Sequence, residues 1–437
     1  MARTYIIDGG VSLQGDISVR GAKNAVTKEM VAALLAPGLT TLRNIPEIGD
    51  VEITRRVLES VGVTVKHDTE AGTVTIDAST LAGPEVPEEY SGLNRIPILL
   101  AGALLHRFGR AVIPAPGGCD IGARPLDFHL QGFEQLGAKI ERREGAYHFS
   151  ADRLTGARIT LPFPSVGATE NLMMAAVLAR GTTEIRNAAV EPEIVDLALL
   201  LQSMGAIIVQ ETDRTWVIQG VDALRPADHR VVNDRIEAAS FAAAAIATRG
   251  EVFIKGADQL HLLTFLNWLR RAGGEFEVRP DGIVFSGRDA RLKAVAAETA
   301  VHPGLMTDWQ QPLVILLTQA TGMSVIHETV YENRFGYTEA LNRMGANIQL
   351  FGECLGGSAC RFRHLGHKHS AVIQGPTPLY GADIEIPDLR AGFSYLVAAA
   401  LAKGRTRLSG VRYIERGYDR VVEKFRALGL KIDVQDT

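Results

Sequence analysis

The sequence predicts a mixed α/β protein of two domains, each made of three repeated units with buried helices inside and sheet outside. Three observations predict it. The chain has 437 residues, longer than one hydrophobic core usually grows, so two domains are expected. A phrase of an apolar residue, a glycine and then alternating apolar residues recurs as SVGVTV, QLGAKI, SMGAII, RAGGEFEV, RMGANI and ALGLKI, with its glycines at Gly62, Gly137, Gly205, Gly273, Gly345 and Gly429. Upstream of each copy an Ala- and Leu-rich run closes on a second glycine, at Gly38, Gly109, Gly181, Gly250, Gly322 and Gly404. Six ordered copies of both glycines set the pattern apart from a chance recurrence of "LGA".

Each element follows from local chemistry. A glycine that ends a helix just before a strand is the expected C-cap. The runs MVAALLAPG, LLAGALLHRFG, LMMAAVLARG, FAAAAIATRG, VILLTQATG and LVAAALAKG are apolar nearly all round, which marks buried helices. Short strands such as TTLRN, TTEIRN and TRLSG follow, then a more amphipathic helix. Turn signals at Glu70 to Gly72, Arg143 to Gly145, Thr212 to Arg214 and Pro280 to Gly282 predict hairpins leading into TVTIDA, AYHFSA, TWVIQG and GIVFSG, with SAVIQG as the partner strand of the fifth copy. The sixth copy, KIDVQDT, ends without a partner strand, and the N-terminal TYIIDG matches TWVIQG. The first strand is therefore expected to complete the last unit. The termini then share one discontinuous domain, 1–20 with 233–437. Residues 21–232 form an inserted domain, and a cleft between the two is the expected active site.

Composition narrows the function. Hydrophobic residues make up 46% and charged residues 22%, with a net charge of −4, an ordinary balance that argues against nucleic acid as a partner. No apolar stretch is long enough to span a bilayer. The opening MARTYIIDGG carries no signal core, so a cytoplasmic, reducing setting is expected. The three cysteines are too few for a disulfide framework. Cys354 and Cys360 lack metal-ligand spacing and partner histidines in the sequence, and are read as structural, with no metal site expected.

Polar residues fall where the buried helices begin. Lys23 and Asn24 open the first, Arg95 the second, and Ser165, Gly167 and Thr169 the third. Asp234, Arg235 and Glu237 open the fourth, Asp308 the fifth, and Asp388 with Arg390 the sixth. Helix N-termini offer free N–H groups and partial positive charge, so such ends can gather anions. Asp234, Asp308 and Asp388 also fit plain capping. A cation at such an end opposes the dipole, so Lys23, Arg95 and Arg390 point to a bound anion.

The segment PAPGGCDIGARPLDFH, with Cys119, Asp120, Arg124, Asp127 and His129, reads as a Gly- and Pro-rich loop. A thiol there near arginine is expected to be reactive, although Asp120 would raise its pKa and a merely exposed cysteine fits the same pattern. HETVYENRFGY and YIERGYDR, the latter with Arg416 and Arg420, occupy the corresponding connections of the fifth and sixth copies. Arginine forks there suit phosphate and carboxylate, or simply a solvated helix start.

GAKNA, PGGCDIGARPLDFH, PSVGAT, EPEIVD, NDRIE, TDWQ, YENRF, DLRAG and ERGYDR, taken in order, resemble the motifs of the UDP-N-acetylglucosamine enolpyruvyl transferases. The resemblance runs from about Gly15 to Gly429. It implies the enolpyruvyl transferase fold, a two-domain inside-out α/β barrel. It also implies a reaction in which phosphoenolpyruvate and UDP-N-acetylglucosamine give the 3-enolpyruvyl ether and phosphate, the committed step of peptidoglycan precursor synthesis, with no cofactor. By resemblance Cys119 protonates the methylene carbon, Asp308 takes the sugar hydroxyl proton, and Lys23, Arg124 and Arg416 grip phosphoenolpyruvate. Arg95 and Arg390 match cleft arginines, and Asn24 a sugar and phosphate contact. Arg124, Pro125, Asp127, His129, Ser165, Val166 and Gly167 match the uridine and diphosphate pocket, while Val330, Arg334 and Asp388 are further substrate-binding positions. The sequence departs from the family pattern at Asn94, Pro97, Asp120, Val190, Trp309 and Pro312. An enolpyruvyl transferase acting on another nucleotide, or a nucleotide-sugar-binding paralogue with little turnover, are the alternative readings. The oligomeric state is open.

Overall fold

A computed structural model describes residues 3–115, 126–357 and 360–436. The described residues form two compact units, one of 21–115 with 126–232, the other of 3–20 with 233–436. Each has its own apolar core.

In the 21–232 unit the buried helices are α1 (Lys23–Ala32), α2 (Leu100–Phe108) and α3 (Val166–Ala176). In the other unit they are α4 (Arg235–Ala247), α5 (Gln310–Leu317) and α6 (Leu389–Leu401). Every residue of α4 and α5 is buried, as expected of helices apolar on all sides. The helices α4, α5 and α6 pack on one another.

Each copy contributes three strands whose first and third pair antiparallel. Thr64–Asp68 and Thr73–Asp77 form the first hairpin, and the third of these strands pairs with Leu39–Arg43. Strands alternate buried and exposed positions, so Val252 and Ile254 of Glu251–Lys255 are fully buried, one face on the helices and one outward. In the last copy Arg3–Asp8 lies between Arg405–Ser409 and Lys431–Asp436, antiparallel to both, with Tyr5 opposite Leu408 and Val434.

A further pairing was not legible in the sequence. The tail of each copy runs parallel to the first strand of the next copy's sheet. Glu85 bridges to Val112, and Arg158–Thr160 pairs with Thr182–Arg186. Asp228–Arg230 then returns to Leu39–Arg43, so the three sheets of this unit are linked in a cycle. In the other unit Gln14–Ser18, Ala296–Glu298 and Asp383–Glu385 do the same for the fourth, fifth and sixth sheets.

The helix-ending glycines Gly62, Gly137, Gly205, Gly273, Gly345 and Gly429 all have φ between +87° and +108°, the region glycine enters at least cost. The upstream set divides. Gly38, Gly109, Gly181, Gly322 and Gly404 also have positive φ, whereas at the fourth copy Arg249 takes that conformation. Gly250 is needed for space instead, since a Cβ there would lie 1.8 Å from the Leu13 carbonyl oxygen. Gly404 meets nothing within 4 Å at φ +93°. Gly404→Ala is therefore expected to cost about 1 kcal/mol of backbone strain, and Gly250→Ala about two to three times that because the Leu13 backbone must move away. Urea unfolding of the two variants checks the order, and equal losses would refute the distinction.

Candidate functional site

The three aspartates at buried helix starts sort by geometry. Asp234 caps α4, its carboxylate accepting from the N–H groups of Ile236 at 2.8 Å and Glu237 at 2.9 Å. Asp388 caps α6, accepting from Arg390 at 2.9 Å and Ala391 at 3.1 Å. For Asp388, expected to bind substrate, the contacts seen are those of a cap. Asp308 differs. It lies in the 3-10 turn Thr307–Trp309 that leads into α5, and neither start has a side-chain cap.

Two buried guanidiniums surround Asp308. Arg334 donates to its Oδ1, and Arg390 Nε is 3.6 Å from the same atom. Arg390 also donates to Tyr418 Oη at 3.0 Å and stacks over that ring, while Arg334 stacks over Tyr331. The Asp308 side chain keeps 20% of its surface exposed, against 3% and 6% for the two arginines. The carboxylate is thus the accessible member of a charge group held from behind. Glu328, fully buried, fixes the connection that carries Arg334. It accepts from Thr307 Oγ1 at 2.9 Å and from the N–H groups of Val330 and Tyr331 at 2.8 and 3.1 Å. Val330 also accepts at its carbonyl from Arg361. Glu328 and Tyr418 lie within the motifs HETVYENRFGY and YIERGYDR, but nothing in the sequence says which charge each would face. Arg416 follows the short helix Arg412–Glu415, half-buried.

In the 21–232 unit Lys23 is the first residue of α1, and its Nζ is 2.9 Å from Asp50 Oδ2. A protein carboxylate therefore offsets its conflict with the helix dipole, beside the bound anion expected there. Asp50 stands in the first turn of Gly49–Ser60, where an acid is favoured, and answers Lys23. Asn24, beside it, is half-buried, and its carbonyl accepts from Lys28 Nζ at 2.8 Å.

Arg95 precedes the turn Pro97–Leu99, whose first position suits proline. His129 in the helix Asp127–Gln135 accepts at Nδ1 from the Asn171 amide, 3.0 Å away, and that amide also donates to the Ile98 carbonyl. Burial, with the Arg95 charge adding, pushes His129 down to about 3, so its ring is neutral at physiological pH. The ring faces Gly167, where a Cβ would lie 3.5 Å from its Cε1. Val166 is the first residue of α3, and Ser165 caps that helix through the Ala168 N–H. His129 and Gly167 therefore lie together, with Arg95 close enough to act on the imidazole. Asp127 Oδ1 is buried with no hydrogen-bond partner among the described residues. Cys119, Asp120, Arg124 and Pro125 lie outside the described residues.

One sequence expectation is overturned. Cys354 and Cys360 do have partner histidines: with His327 and His369 their ligand atoms all lie within 4.8 Å of one another. The sequence hid this because His327 comes from a different strand, brought alongside only by sheet pairing.

The fold is that of known carboxyvinyl transferases. The family model of EPSP synthase (3-phosphoshikimate 1-carboxyvinyltransferase) matches residues 7–425. The structure of the enolpyruvyl transferase NikO from Streptomyces tendae superposes with a TM-score of 0.88 at 25% identity, covering 100% of this chain and 99% of that one. The UDP-N-acetylglucosamine 1-carboxyvinyltransferase of Protochlamydia amoebophila is 51% identical over 98% of this chain and 93% of its own length. That of Chlamydia abortus is 48% identical over 97% and 96%. The chain belongs to the EPSP synthase family of carboxyvinyl transferases and, within it, to the UDP-N-acetylglucosamine 1-carboxyvinyltransferases.

The 21–232 unit also buries charge that no helix start explains. Lys28 Nζ is 3.9 Å from Glu170 Oε1. Desolvation outweighs attraction across that distance, pushing Glu170 up to about 8 and Lys28 down. Because the folded state holds the Glu170 proton more tightly than the ordinary 4.5, its contribution to stability is complete below about 4.5 and lost as pH rises through about 8. Glu170→Gln is expected to flatten the fall of Tm between pH 5 and 8 by an amount equivalent to about 1–4 kcal/mol. Parallel Tm profiles for variant and wild type would refute this.

Proposed function

We propose that this protein transfers the enolpyruvyl group of phosphoenolpyruvate to the 3-hydroxyl of UDP-N-acetylglucosamine with release of phosphate, the first committed step of peptidoglycan precursor synthesis. The observation that carries it is the 51% identity to a UDP-N-acetylglucosamine 1-carboxyvinyltransferase across nearly all of both chains. An enolpyruvyl transferase for another nucleotide is less favoured, since the relatives at 51% and 48% identity are both named UDP-N-acetylglucosamine 1-carboxyvinyltransferases. The inside-out barrel architecture and a cytoplasmic location belong to this reading. The architecture agrees with the linking of each unit's sheets in a cycle; no helix among the described residues is long and apolar enough to cross a membrane.

In this proposal Cys119 delivers a proton to C3 of phosphoenolpyruvate, which leaves C2 electron-poor. Asp308 accepts the proton of the sugar hydroxyl as its oxygen bonds to C2. Loss of a C3 proton then expels phosphate and restores the double bond, giving the enolpyruvyl ether. Lys23, Arg124 and Arg416 hold the phosphoenolpyruvate anion, with Arg95 and Arg390 nearby, because a phosphate dianion needs several cations aimed at it. Arg334 and Arg390 fix the Asp308 carboxylate while leaving part of it exposed, which suits a base that must reach a hydroxyl. Asn24, Asp127, His129, Ser165, Val166, Gly167, Val330 and the segment containing Pro125 contact the nucleotide sugar. The neutral His129 and the Asp127 oxygen, unpartnered among the described residues, suit hydrogen bonding to a uridine.

Phosphate release is the direct assay. With phosphoenolpyruvate it is expected for UDP-N-acetylglucosamine and not for bare nucleotides; release with a bare nucleotide alone would move the acceptor. Asp308→Asn is expected to bind both substrates and lose turnover by about 10²-fold or more, and a normal rate would remove the base role. An epoxide mimic of phosphoenolpyruvate is expected to label Cys119 and stop turnover, whereas labelling at Cys354 or Cys360 would remove Cys119 from the mechanism.

A further inference from the structure

We propose that His327, Cys354, Cys360 and His369 form a structural zinc site, with Nε2 of each histidine and both Sγ atoms as the four ligands. The site lies in the fifth copy and does not rest on the reading of the reaction. His327 ends the strand Gly322–His327, and His369 immediately precedes the strand Ser370–Gly375 that pairs with it. Both cysteines belong to the connection 352–369.

Four observations converge. The ligand atoms all lie within 4.8 Å of one another. Cys354 Sγ is 3.4 Å from His369 Nε2, close to the edge of about 3.3–3.8 Å that tetrahedral Zn–S and Zn–N bonds imply. His327 is fully buried, and its Nε2 has no hydrogen-bond partner among the described residues. Such an orphan is costly unless something binds it. The other ring nitrogens are already engaged: His327 Nδ1 lies 2.9 Å from Ser370 Oγ, and His369 Nδ1 lies 2.7 Å from the His367 carbonyl. Partners on Nδ1 fix each ring and leave Nε2 for the metal.

The backbone is shaped to close on the same point. A Cβ at Gly356 would lie 2.6 Å from His327 Cδ2, so glycine lets the cysteine-bearing connection press against the imidazole. Two thiolates and two imidazoles select zinc among abundant divalent cations, and with no open position such a site is structural. Binding releases two thiol protons to solvent and needs no oxidant.

The test uses the full reduced chain. Reconstitution is expected to give one zinc per chain by elemental analysis. Cobalt(II) in its place is expected to show thiolate charge-transfer and tetrahedral d–d absorption. Cys354→Ser and Cys360→Ser should each lose that spectrum, and Cys119→Ser should keep it. Limited proteolysis within 352–369 should be faster without zinc. Failure of reduced wild-type protein to take up zinc or cobalt would overturn the site, as would a spectrum that survives Cys354→Ser or disappears with Cys119→Ser. A Cys354–Cys360 disulfide whose reduction yields no metal binding would overturn it equally.

Discussion

Burying whole helices inside each unit forces every charge near their ends to find its counter-charge within protein. Water screens a charge there poorly, and an unmatched buried one costs several kcal/mol. Asp308 meets this constraint by facing Arg334 and Arg390, and Lys23 by reaching Asp50. In α4 the buried Glu237 sits 2.6 Å from Lys424, which has Asp419 at 3.1 Å. Even so, burial pushes Glu237 up to about 7.

The outcome turns on distance and on how many partners converge. Lys28 and Glu170, 3.9 Å apart, shift toward their neutral forms. Glu29 is pushed well up by burial and by Asp196 beside it. The interior therefore contains two kinds of polar group: carboxyls whose protons burial retains, and ion pairs close enough to resist it. Asp308 combines close cations with partial exposure, and that combination separates it from the capping aspartates Asp234 and Asp388.

What the sequence revealed was whatever repeats or lies close along the chain. The six helix-ending glycines carry their meaning locally, because a positive φ before a strand is a demand on one residue. The same holds for the hairpin turns and for the Asp234 and Asp388 caps. Contacts between separate elements were not legible. Asp50 lies on a different helix from Lys23, and Tyr418 is far in sequence from Arg390. The parallel strands at 14–18, 158–160 and 228–230 are short, and their pairing depends on the neighbouring copy rather than on their own pattern. Gly250 shows how far local reading goes: its place in the repeat was visible, but its use for close approach to Leu13 was not.

The fifth copy shows why a cross-link would matter where it is. The first four copies join their last two strands by tight turns, whereas here residues 352–369 intervene between Phe351 and Ser370. A long connection of this kind retains conformational freedom unless its own contacts hold it. This one is tied at Gly357, whose N–H reaches Glu298, and at Arg361, which donates to the Val330 carbonyl. Val330 in turn donates to Glu328, which anchors the connection carrying Arg334. A clamp on Cys354 and Cys360 would fix the chain on either side of Gly357 and just before Arg361. It would therefore restrain the same backbone that presents Arg334 to Asp308, linking a structural cluster at the ends of two inner strands to the placement of a charged group at a helix start.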